Sequence, residues 1–143
     1  RVVELAPDNA NGLNALGYIL LSPTKKNLDE AFKLIQAAYQ IEPENPAIND
    51  SLGWAYFLKD DVQTALPYLQ YAFEKYPDAE VAAHLGEALW ASGDQEKAKK
   101  IWTDSLKGEG DMKILRETMK RFGVETAPKP TKKAQSGRSV KSK

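Results

Sequence analysis

No cysteine occurs among the 143 residues, which excludes disulfides and thiolate metal sites. Its absence fixes no compartment, since a helical array needs no covalent staples in a reducing or an oxidising space. Histidine occurs once, as His84. No apolar run approaches the roughly 18 residues of a membrane helix. There is no initiator methionine and no signal peptide. Residues 1–9 read as the end of a truncated helical unit closed by Pro7, so the expectation is a piece of a longer protein whose targeting signals lie elsewhere. Net charge is zero, but unevenly laid out. Residues 125–143 carry six basic side chains against Glu125, and the rest of the chain carries 14 basic against 19 acidic. A mildly acidic body therefore precedes a basic tail, which is rich in proline, lysine, serine and glycine and expected to be disordered.

What is present is a spacing. Gly17, Gly53 and Gly86 each follow a leucine (Leu16, Leu52, Leu85) and precede an alanine by fourteen, twelve and twelve residues (Ala31, Ala65, Ala98). A small or apolar residue follows four and seven places later, and two of the three series close on Pro43 and Pro77. A period near 34 with this internal pattern predicts stacked helical hairpins. Helices are expected over about 10–21, 28–41, 46–58, 62–75, 79–92, 95–107 and 112–122. Asp8 or Asn9, Asn27, Asn45 and Asp78 are the expected N-caps, with Pro46 at a first helical position and Asn27 and Glu30 in a capping-box spacing. The stretch 22–26, with Pro23, and the pair Gly93-Asp94 break helices. Pro67 is expected to kink its helix or delay its start. The last helix should bury Ile114, Leu115, Met119 and Phe122 and cap the array.

These residues resemble the tetratricopeptide repeat (TPR) family, whose pattern is a large apolar residue, Leu-Gly, an aromatic, then alanine, aromatic, alanine and proline. The second series fits best, with Leu52, Gly53, Tyr56, Ala65, Leu69, Ala72 and Pro77. The first has Leu13, Leu16, Gly17, Leu20, Ala31, Ile35, Ala38 and Pro43. The third has Leu85, Gly86, Leu89, Ala98, Trp102 and Ser105, with Gly110 in place of proline. Asn49 and Ala82 stand where the large first residue belongs, which should leave those helix ends less anchored. The resemblance implies an all-α superhelix: repeats over 10–45, 46–78 and 79–110, a capping helix over 111–124, and a tail over 125–143.

In such a fold the first helix of each hairpin lines a concave face. The family's groove positions correspond to Asn11, Asn14, Tyr18 and Leu21, then Ala47, Asp50, Trp54 and Phe57, then Glu80, Ala83, Glu87 and Trp90, with His84 nearby. Tyr18, Trp54, Phe57 and Trp90 are large aromatics that the helix crossings do not need, the residue type that anchors partner segments. Some family members grip a C-terminal carboxylate with basic residues in this groove. Here Asp50, Glu80 and Glu87 would repel one, so the groove implies an apolar or basic segment or helix.

Other chemistry finds little support. His84 lacks a serine nucleophile and an orienting partner at helical spacing. Gly108-x-Gly110 follows no strand. Asp60-Asp61 and Asp29-Glu30 lack calcium-loop spacing. Neither catalysis, nor a cofactor, nor a metal is expected. The tail has no aromatic for base stacking, so nucleic acid is not an expected partner.

The strings around Asp50-Ser51-Leu52-Gly53-Trp54, 82–90 and 115–123 further resemble the C-terminal repeats of proteobacterial outer-membrane TPR lipoproteins. One branch of that group acts as adaptor of a C-terminal processing protease. The resemblance implies a periplasmic scaffold, attached to the membrane only through an upstream lipid anchor, whose partner is the protease or its substrate. Two alternatives stay open. One is a regulatory repeat segment of a larger multidomain enzyme. The other is a self-assembling module, joined through the unpartnered face under Val2, Val3 and Leu5.

Overall fold

The computed structural model describes residues 9–22 and 24–126. The expectations for residues 1–8, Pro23 and most of the tail, including the self-association face, lie outside them. Among the described residues seven helices run in order: α1 (Ala10–Leu20), α2 (Leu28–Ile41), α3 (Pro46–Leu58), α4 (Val62–Lys75), α5 (Ala79–Ala91), α6 (Gln95–Ser105) and α7 (Lys113–Arg121). No strand occurs among the described residues. The pairs α1/α2, α3/α4 and α5/α6 form antiparallel hairpins. Consecutive hairpins join through α2 against α3 and α4 against α5, and α7 lies on α5. The array is an all-α solenoid of stacked helical hairpins in which α1, α3 and α5 stand side by side.

The helix crossings are built from the residues that define the repeat. Ala31, Ile35 and Ala38 on α2, Ala65, Leu69 and Ala72 on α4, and Ala98 and Trp102 on α6 are all fully buried. Each set falls on one helical stripe. The opposing glycines leave no room for a side chain. A Cβ on Gly17 would lie 2.7 Å from Ile35 Cγ1, one on Gly53 would lie 2.7 Å from Leu69 Cγ, and one on Gly86 would overlap the Trp102 indole.

The helix ends follow the turn chemistry with four differences. Asn9, Asn45, Asp61 and Asp94 accept hydrogen bonds from first-turn amides as N-caps should, but Asn27 and Asp78 do not. Asn27 sits at φ −114°, ψ 27°, away from the extended backbone that folds a capping side chain over the amides. Asp78 instead lines a concave cavity. Pro67 neither stops nor delays α4, which starts at Val62 behind the Asp61 cap. Its missing N–H forfeits the bond to the Gln63 carbonyl, and both residues are exposed to water. Asn49 does not leave α3 loose: it is buried, and its Nδ2 donates to the Pro43 and Asn45 carbonyls at 2.9 Å each, tying the preceding turn to the helix. Ala82 is fully buried at the start of α5.

On α7 the buried face is Leu115, Thr118 and Met119, with Phe122 packed against the same cluster. Ile114 is 44% exposed. One residue before Leu115 is about 100° around the helix, so Ile114 turns to solvent.

Gly86→Ala should therefore destabilise the fold by about 1–3 kcal/mol through overpacking against Trp102, although alanine alone would favour the helix by about 1 kcal/mol. Thermal melts check this, and pairing it with Trp102→Leu should cost less than the two changes summed. A Gly86→Ala protein as stable as the parent would show that the indole has another place to go.

Candidate functional site: the concave wall

The wall is assembled from side chains on three first helices. Asn14 and Tyr18 come from α1, Asp50, Trp54 and Phe57 from α3, and Glu80, His84, Glu87 and Trp90 from α5. Their spacing of three or four residues places them on one helix face.

At the centre, His84 and Asp50 form a buried couple. His84 Nδ1 lies 3.0 Å from Asp50 Oδ1 and 3.3 Å from Oδ2, and the two side chains are 8% and 10% exposed. Burial disfavours a charged imidazole, but the Asp50 carboxylate, its hydrogen bond and the more distant Glu80 and Glu87 outweigh that and raise the His84 pKa above 6.5. The His84 ring stacks on Trp54 at 4.1 Å between centroids, and Trp54 stacks in turn on Phe57 at 4.8 Å. The imidazole thus sits between a carboxylate and an indole face, both of which favour its protonated form.

Tyr18 reaches across from the first hairpin. Its ring lies 6.3 Å from that of His84, and its hydroxyl donates to Glu80 Oε2. Burial, followed by this hydrogen bond and the charge of Glu80, pushes the phenol pKa up, keeping it a neutral donor. Beside it opens a cavity of about 210 Å³, lined by Asn14, Tyr18, Asp50, Tyr76, Asp78 and Glu80 among others. Asn14 Oδ1 is buried and accepts no hydrogen bond among the described residues.

The predicted site divides into two groups. Asn14, Tyr18, Asp50, Trp54, Phe57 and His84 come together with Glu80. Trp90 does not join them: it stacks on Trp102 at 5.8 Å and meets Phe122 at 5.1 Å, under the capping helix. Glu87 lies on that side too, accepting Arg121 Nη2 at 2.9 Å and Nη1 at 3.3 Å. Of the wider groove positions, Leu21 packs into the core beside Ile35 and Leu52, and Ala83 is buried. The sequence reading missed the orienting partner of His84. Its signal was a separation of 34 residues, close to one repeat period, which brings successive first helices alongside each other. It also missed Tyr76, and it read Asp78 only as an N-cap. No group of three or more His, Asp or Glu suited to a metal occurs among the described residues.

With this geometry in place, the comparisons with known proteins agree. Residues 51–107 match the profile of the tetratricopeptide repeat. A TPR repeat-containing protein of Pseudomonas aeruginosa is 47% identical over 126 residues, covering 87% of this chain. The chain spans only about a fifth of that relative's length, 21%. A TPR protein of Thermus thermophilus superposes with a TM-score of 0.68 at 18% identity, over 85% of this chain and 68% of that one. The O-GlcNAc transferase of Thermobaculum terrenum gives 0.63 at 27% identity, over 75% of this chain and 21% of the transferase chain. The class these findings define is the tetratricopeptide-repeat solenoid, a fold consistent with protein–protein interaction. This chain carries that repeat, matched over residues 51–107, in an array of three hairpins and a capping helix in its described part.

The His84–Asp50 couple predicts a pH dependence. A folded-state pKa raised above the unfolded value contributes stability that is fully present below about pH 6.5 and is lost as pH rises through the raised value. Asp50→Asn should lower stability by about 1–3 kcal/mol at pH 6, and its deficit relative to the parent should shrink as pH rises through that window. Denaturant unfolding at a series of pH values measures it, and a deficit independent of pH would remove the charged imidazole from the account.

Proposed function

We propose that the chain is a non-enzymatic scaffold that holds a segment of a partner protein against the wall formed by Tyr18, Trp54, Phe57 and the His84–Asp50 couple. The observation that carries this reading is the half-buried aromatic run Trp54–Phe57 beside the buried His84–Asp50 couple. Rigid aromatics presented by packed helices bind partners at low entropic cost. The likeness to proteobacterial outer-membrane TPR lipoproteins, together with the Pseudomonas relative, extends the proposal. The chain belongs to a periplasmic, lipid-anchored adaptor that brings a C-terminal processing protease together with its substrates.

A second reading is a regulatory repeat segment of a larger enzyme. It is favoured by the likeness to part of an O-GlcNAc transferase chain and by the small share of the Pseudomonas relative that this chain covers. The full-length gene product separates the two: a lipid-anchor signal followed by repeats alone supports the adaptor, and a recognisable catalytic domain supports the enzyme.

Trp54→Ala should leave the helical circular dichroism intact and weaken binding of the processing protease, or of its substrate, by roughly 30-fold, as expected of a central aromatic anchor. Trp90 is unsuited to this test because its loss would disturb the packing of Trp102 and Phe122. Calorimetry that finds binding unchanged in Trp54→Ala would remove the wall as the partner surface.

A further inference from the structure

The cavity next to Tyr18 has a chemistry of its own. It is walled by α1, α3, the end of α4 and the start of α5, and its volume of about 210 Å³ equals roughly seven waters at about 30 Å³ each. That suits one long side chain rather than a helix. Three carboxylates line it, from Asp50, Asp78 and Glu80, and among the described residues no lysine or arginine does. The three are answered unequally. Asp50 has His84, Glu80 has only the neutral Tyr18 hydroxyl, and Asp78 caps no helix amide. Independently of the charges, the buried Asn14 Oδ1 is an acceptor without a donor. A buried acceptor left unpaired is costly, and a ligand donor that reached it would recover that cost. Tyr76, 58% exposed, stands among the lining residues with Tyr18, so two aromatic rings border the acceptors.

We propose that this cavity is a specificity pocket for a single arginine side chain of the bound partner segment, an inference that rests on the scaffold reading of the wall. The guanidinium is the matching group. It carries five donors in a planar fork, pairs with carboxylates in two-point geometry, and stacks on aromatic faces. Lysine offers a strongly hydrated point charge without the fork or the flat face. An anionic group is excluded by the three carboxylates, so the pocket selects against the C-terminal carboxylate that other members of the fold grip.

The test uses small neutral-ended probes on the full chain: N-acetyl-arginine amide, the isosteric but uncharged N-acetyl-citrulline amide, and N-acetyl-lysine amide. Backbone amide shifts are followed by NMR. The arginine probe should give saturable shifts at residues 14, 18, 50, 78 and 80 and none around Trp102. Citrulline should give none, and lysine should bind at least about fivefold more weakly. Asp78→Asn, which removes no hydrogen bond of the fold, should weaken the arginine probe about tenfold, as should Glu80→Gln. Equal shifts from citrulline or lysine, shifts centred elsewhere, or indifference to Asp78→Asn would each overturn the pocket. Should the arginine probe fail while Trp54→Ala still weakens the protein partner, the pocket falls and the scaffold stands. Should the arginine probe bind while Trp54→Ala leaves partner affinity unchanged, the scaffold wall falls instead.

Discussion

The close crossing of two helices at a glycine is the constraint on which the rest of this molecule depends. At Gly17, Gly53 and Gly86 the first helix of a hairpin comes within contact distance of Ile35, Leu69 or Trp102 on the second. Because those contacts repeat at nearly constant spacing, the hairpins have similar shape and stack in the same sense. The first helices then fall side by side. That alignment, and no feature of any one hairpin, brings side chains from α1, α3 and α5 onto a common surface. Dispersion at the crossings is short-ranged, so the geometry tolerates little change there and far more on the exposed faces.

The polar features of the concave wall hold one another in place. Asp50 is 7% exposed and His84 is 6% exposed. Either would be costly alone in such surroundings, and together they satisfy each other. Their pairing fixes the plane of the imidazole, which lets Trp54 lie flat against it, and Phe57 lies flat against Trp54. The order of the aromatic surface thus derives from the buried His84–Asp50 couple on which Trp54 stacks. At the other end the arrangement differs. Arg121 holds Glu87, and Trp90, Trp102 and Phe122 form a closed cluster under α7. There the first-helix face of α5 is covered by α7.

Much of this architecture was legible in the sequence, and the residues show why. Helix positions were clear because Asn9 and Asn45 act within one turn of themselves, and because Ala31, Ala65 and Ala98 mark crossings by size alone. The misreadings concern residues whose role depends on distant neighbours. Asn49 looked like a weak substitute for a large apolar residue, yet its amide reaches back six residues to the Pro43 carbonyl. Pro67 looked disruptive until its exposure showed that water serves the carbonyl it abandons. Trp90 looked like a groove residue because its position in the repeat is one. Only the packing of the last helix onto α5 reassigns it. The couple of Asp50 with His84 was hidden for the same reason, since reading one repeat at a time does not show what stands across from it in the next.

The hydrogen bond from Tyr18 to Glu80 joins residues 62 apart, and so skips the middle hairpin. A stack of repeats held only by adjoining units melts like a zipper, opening from whichever end is weaker. A strut from the first unit to the third changes that. The first hairpin cannot peel away without breaking that bond to the third, so the inner wall is braced across its chord as well as from neighbour to neighbour.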